Sequence, residues 1–184
     1  MALARRTVLK MYLGAAMVAG LAGLAWLAEE RVALGPTDGK GFRPIRWPFA
    51  PDAWPDGRAW TGNDLDVYVR LKFDVCGDCE TGVVSDEAVD RAVDIDRLDP
   101  RFAALGPGRR VRVTDLFGRA RLYRHRMHNG APRLAEGIVV AYKCDLLIAI
   151  VDGNMADDAQ RKMAYRFLES NTVQVWVNKQ LEGR

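Results

Sequence analysis

The residues with the most obvious chemistry are three cysteines: Cys76 and Cys79, set as Cys76-Gly77-Asp78-Cys79, and the distant Cys144. Two thiols at this spacing can form a redox pair, supply half of a metal site, or give one partner to a structural disulfide. His125 and His128, the only histidines, stand as His-Arg-Met-His. With the cysteines they would offer a soft sulfur–nitrogen donor set of the kind that holds copper or zinc. Arg124, Arg126 and Arg133 surround them, however, and repel a cation, and no second CxxC completes a four-cysteine site. Haem-attachment, P-loop, dinucleotide-binding and nucleophile-elbow motifs are absent, and Asp152-Gly153-Asn154 reads as a turn. No cofactor is expected, and no substrate class is indicated.

Of the three cysteine chemistries, the structural one is favoured. Cys144 falls between two apolar stretches, Ile138–Ala141 and Leu146–Val151, where a thiol is expected to be buried. A bridge from Cys76 to Cys144 would close a loop of 69 residues. Closing a loop of that size stabilises a chain by roughly 4 kcal/mol in the chain-entropy treatment. The candidates for pairing are Cys76, Cys79 and Cys144, and the sequence leaves the pairing open.

The elements that must position these groups follow from hydrophobic periodicity. Leu65, Val67, Val69, Leu71, Phe73 and Val75 alternate with Asp66, Tyr68, Arg70, Lys72 and Asp74, which predicts a strand with one wet face. A short helix over 86–95 follows, capped by Ser85 or Asp86. Strands are expected at 109–115 and 119–125, with a turn at Phe117-Gly118, and one kinked strand or two over 137–151. An amphipathic helix is expected over 156–170, and Val173, Val175 and Val177 alternate as a last strand. The sum is an α+β domain over 63–184: a mostly antiparallel sheet of five to six strands with two helices.

This order of elements resembles the thioredoxin fold over residues 65–170, on the CxxC and the strand–CxxC–helix succession alone. The resemblance implies a periplasmic thiol–disulfide oxidoreductase with Cys76 and Cys79 as catalytic residues. The sequence departs from that pattern in several ways. The helix begins about six residues after Cys79, no proline lies inside the motif, no aromatic residue precedes Cys76, and acidic residues follow where a thiolate would form.

Residues 29–62 read as a linker or arm. Five of the eight prolines fall between Pro36 and Pro55, so a helix is excluded there. Trp47, Trp54 and Trp60 lie in the same stretch. A free tether has no use for such side chains, so they either pack on the domain or dock on a protein partner. Charge is also segregated. Residues 74–99 carry nine acids and two arginines, whereas 109–126 carry seven arginines and one acid. The two groups either satisfy each other, or Arg119, Arg121 and Arg124 present a basic surface to a partner.

The N-terminus supplies an address. Arg5-Arg6-Thr7-Val8-Leu9-Lys10 resembles the twin-arginine export signal, with Arg5, Arg6, Leu9 and Lys10 matching its pattern. The uncharged run from Met11 to Ala28 is 18 residues, enough to span about 27 Å as a helix. Without Arg5, Arg6 and Lys10, 24 basic residues face 24 acidic ones, so the net charge of +3 belongs to this segment. Nucleic-acid binding through bulk charge is thereby excluded. The expectation is a signal or membrane anchor at 1–28, contacting the membrane through residues 11–28, with the domain facing the periplasm or cell exterior. Cleavage would instead release a soluble periplasmic protein. Together these features describe an exported, non-enzymatic accessory or assembly protein. N-terminal sequencing of the mature protein is expected to find the hydrophobic run retained; a start near Gly23 or Trp26 would refute the anchor.

Overall fold

In a computed structural model, Met17 and residues 35–73, 85–125 and 132–183 are described. Cys76, Cys79, His128 and the export residues Arg5, Arg6, Leu9 and Lys10 lie outside them. Among the described residues no helix is long and apolar enough to cross a membrane.

The described residues form eight strands: β1 (Arg43–Ile45), β2 (Arg58–Gly62), β3 (Leu65–Lys72), β4 (Phe102–Ala104), β5 (Arg109–Val113), β6 (Leu116–His125), β7 (Arg133–Tyr142) and β8 (Asp145–Asp152). Among residues 35–183 that are described, three α-helices, α1 (Asp86–Val93), α2 (Asp158–Leu168) and α3 (Asn171–Glu182), accompany the strands. The sheet order is β1-β2-β3-β8-β7-β6-β4, with β5 also on β6, and every pairing is antiparallel. Against the expected five to six strands and two helices, the described residues of the domain and arm hold eight strands and three α-helices.

Two of the extra strands come from the proline-rich stretch. β1 and β2 pair with each other, and β2 pairs with β3 through a two-residue turn at Asn63-Asp64. Both turn residues have positive φ, the conformation that matches a tight turn to strand twist and that Asn and Asp tolerate. A third addition is β4. It lies end to end with β5 along the outer edge of β6, separated from it by the bulge at Gly106-Pro107-Gly108. The β5–β6 turn is at Thr114-Asp115, not Phe117-Gly118. Gly118 sits inside β6, where an added Cβ would lie 2.1 Å from the Val139 carbonyl oxygen.

The valine-rich C-terminus is a helix, not a strand. Val173 and Val177 are one turn apart and both buried, whereas Val175 is 52% exposed. A two-residue periodicity in three valines is thus also a four-residue periodicity in two of them. α2 and α3 pack on one face of the sheet, where Phe167 stacks on Phe42 with centroids 4.0 Å apart and Trp60 meets Phe167 and Trp176. Burying those aromatic rings provides much of the driving force for this layer.

α1 covers the opposite face with Val89, Ala92 and Val93. Ser85 caps it by accepting from the Ala88 N–H at 3.1 Å. Beside α1, residues 46–57 run across the sheet as a strap, with Trp47 and Phe49 packed on Tyr68. β3 therefore has no wet face. Tyr68, Arg70 and Lys72 are all buried.

Arg70, 7% exposed, is held by Asp52 of the strap through two hydrogen bonds of 2.8 and 3.1 Å. Asp52 also pairs with Arg97. Lys72 pairs with Asp94 and lies 5.9 Å over Trp54. Removing one partner of a buried ion pair strands the other charge. Asp52→Asn is expected to cost about 3 kcal/mol in urea unfolding and to speed tryptic cleavage in the strap. The double variant Asp52→Asn/Arg70→Met should recover much of the loss; equal stability of native and Asp52→Asn chains would refute the role of the pair.

Candidate functional site

At the end of the sheet where β2 turns into β3, register aligns polar residues across four strands. Arg43 on β1 pairs with Thr61 on β2, Thr61 with Asp66 on β3, and Asp66 with Asp152 on β8. Because side chains alternate along a strand, this row shares the face that carries α1 and the strap. It forms the floor of a cleft of about 690 Å3 that also includes Thr37, Gly41, Asn63, Asp64 and Arg133. Gly153 closes one side, with a φ of +156° that an L side chain rarely adopts.

Asp152 is 6% exposed and accepts from Arg133 Nε at 2.9 Å, with a second bond from the same guanidinium. Burial pushes its carboxyl above the ordinary range, while Arg133 pulls the other way. Arg133 also lies 5.9 Å over the Phe102 ring. Asp66 is met by the Tyr68 hydroxyl at 3.4 Å, and burial, reinforced by Asp66 and Asp152, holds that phenol protonated well past its ordinary range. The arrangement combines opposite charges with open volume, which suits binding of a small charged molecule.

The residues singled out from sequence fall elsewhere. Arg119 bonds Asp86 at 2.5 Å, and Arg121 pairs with Asp90, which also accepts from Tyr123 at 2.6 Å. The Arg119 bond is the main reason the Asp86 carboxyl sits below its ordinary range. Asp86 and Asp90 are one helical turn apart, so the acids of α1 and the arginines of β6 face one another directly. Arg124 is half-buried. Trp60 is 2% exposed in the core, and Trp47 and Trp54 belong to the strap, where they cover Arg70 and Lys72.

His125 is 1% exposed, packed against Phe102, with Nε2 3.6 Å from Asp99 Oδ2. Neither ring nitrogen has a hydrogen-bond partner among the described residues. Asp99 is instead chelated by Arg101, whose bonds hold its carboxyl well below the usual range. No group of three or more His, Cys, Asp or Glu that could hold a metal occurs among the described residues.

Cys144 is disulfide-bonded. It stands half-buried in the two-residue turn between β7 and β8, at the end of the sheet opposite the cleft, and not within the apolar core.

The cleft residues carry no local motif. Asp66 and Asp152 are far apart in sequence and meet through β3–β8 pairing alone. One signal was available: Asp152 ends a run of six apolar residues, Leu146–Val151, where a buried charge demands a partner.

A second buried acid lies on the α2 face. Glu136 accepts from Arg109 at 2.8 Å, Arg109 also donates to the Tyr165 hydroxyl at 3.0 Å, and Glu136 Oε2 has no partner among the described residues. Burial pushes the Glu136 carboxyl above its ordinary 4.5, against the pull of Arg109. A carboxyl raised in the folded state is tolerated best when protonated, so this stability is present below 4.5 and is lost as pH rises through the raised value. Glu136→Gln keeps an acceptor for Arg109 and removes the charge. Its Tm relative to the native chain is expected to rise with pH; a difference constant from about pH 4 to 8 would refute this assignment.

No protein-family model matches the chain, and no curated protein matches it, so a functional reading rests on its residues.

Proposed function

We propose that this chain is an exported, membrane-anchored accessory or assembly protein that acts outside the cytoplasm without catalysing a reaction, and that a disulfide joins Cys144 to Cys76 or Cys79. The observation that carries the reading is the disulfide at Cys144. Disulfides persist in oxidising compartments and are rare in the cytosol. This agrees with the export-signal resemblance of Arg5-Arg6-Thr7-Val8-Leu9-Lys10.

Chain geometry supports the partner. Lys72, the last residue of β3, pairs with Leu146, two residues beyond Cys144. The chain therefore leaves β3 beside the β7–β8 turn, and Cys76 follows four residues after Lys72. A bridge there would tie the acidic segment to the sheet and take one thiol from the CxxC, leaving no vicinal pair to cycle. The protein partner would be met by surface outside the mutually neutralised α1–β6 layer.

Peptide mapping under non-reducing conditions tests this. Trypsin yields one peptide with Cys76 and Cys79 (residues 73–91) and one with Cys144 (residues 144–161). The two are expected to be joined, with a single thiol open to alkylation after denaturation. A Cys76–Cys79 bond that a mild reductant opens, with Cys144 alkylated, would overturn the reading in favour of an oxidoreductase.

A further inference from the structure

We propose that the cleft at the β2–β3 end binds a small zwitterion, a primary ammonium joined through a few atoms to a phosphate or carboxylate. Its lipid-borne form, a phosphoethanolamine headgroup, rests on the membrane-anchored reading above, whereas binding of the zwitterion itself does not.

The cleft's volume of about 690 Å3 lies within the range of small-ligand sites. Its charges are sorted by position. Asp66 and Asp152 stand directly opposite each other, an arrangement of like charges that destabilises a sheet unless a cation intervenes. Arg133 gives both of its hydrogen bonds to Asp152 and acts on Asp66 through space, so one guanidinium faces two carboxylates. The hydrogen bond Asp66 accepts, from the Tyr68 hydroxyl, is a long one of 3.4 Å. An ammonium seated between Asp66 and Asp152, with Asp64 at the rim, would complete the alternation of sign along the row.

The anionic end follows from Arg43. It is exposed, lines the cleft, and has no ion-pair partner among the described residues. It lies two strands from Asp66, roughly 10 Å at the backbone. That separation is within reach of a guanidinium and a carboxylate turned toward one short dipolar molecule. A metal ion is a poorer fit, because Asp64, Asp66 and Asp152 do not form a group of metal-binding geometry. A simple anion is disfavoured by the three carboxylates, and a simple cation leaves Arg43 unused.

The position of the cleft suits a headgroup. Thr37, on its rim, follows Ala28 by nine residues, at most about 30 Å of extended chain. With residues 11–28 in a bilayer, the cleft stays within that distance of the lipid surface.

The test uses the full chain in a maltoside detergent, which carries no charge, and titration calorimetry with four probes: glycerophosphoethanolamine, glycine, ethylammonium and inorganic phosphate. A zwitterion is expected to bind at least about tenfold more tightly than either single-charge probe. Preference for glycerophosphoethanolamine identifies the headgroup form, and preference for glycine a free amino acid; both support the proposal. Asp66→Asn and Arg43→Gln should each weaken zwitterion binding about tenfold, and the exposed turn variant Asp64→Asn gives a fallback if Asp66→Asn unfolds. Absence of zwitterion binding up to about 10 mM, or affinity unchanged by all three variants, would overturn it. A cleaved N-terminus with zwitterion binding intact would remove the anchor alone.

Discussion

The constraint on which the structure depends is that an inner strand with a polar row, β3, is covered on both sides. β3 pairs with β2 and β8, faces the α2–α3 layer with Leu65, Val67, Val69 and Leu71, and turns Asp66, Tyr68, Arg70 and Lys72 toward α1 and the strap. Charges placed there must find partners, because desolvation without compensation costs several kcal/mol per ion. Each partner comes from a different part of the chain: Asp52 from the strap, Asp94 from the end of α1, and Arg133 by way of Asp152. The polar row of β3 thus specifies how the covering elements dock, while the apolar row supplies the burial that makes docking favourable.

This division gives the sheet two chemically different ends. Toward the β7–β8 turn lies the disulfide-bonded Cys144, close to where the chain departs toward the CxxC. Toward the β2–β3 turn lies the open cleft, whose charges are only partly neutralised. On α1 and β6, Asp86 is matched by Arg119 and Asp90 by Arg121. The cleft row of Arg43, Asp66 and Asp152 is assembled by register from separate strands and not by clustering along the sequence.

Much of the architecture was legible because periodicity is local. The alternation of β3, the Ser85 cap of α1 and the amphipathic α2 each need only a short window. The failures occurred where the deciding partner is distant. Whether the polar row of β3 is wet depends on a strap whose prolines say only that it is not helical. Whether Val173, Val175 and Val177 form strand or helix depends on the core they enter, since their spacing permits both. The cleft is the extreme case: Arg43, Asp66, Arg133 and Asp152 come from four strands, and register, not motif, assembles them. The cysteines could be picked out by type, but their pairing could not be read from spacing.

The interrupted outer strand has a consequence beyond packing. A sheet this wide ends in two rows of backbone donors and acceptors, and an unbroken row would invite another chain to add itself as the next strand. One border is only three residues long and contains Pro44, which has no N–H to offer. The other is broken by Gly106-Pro107-Gly108 into two short pieces, and the longer piece is studded with Arg109, Arg110 and Arg112. Among the described residues neither border offers a long unbroken row of backbone groups, which works against self-association by strand addition.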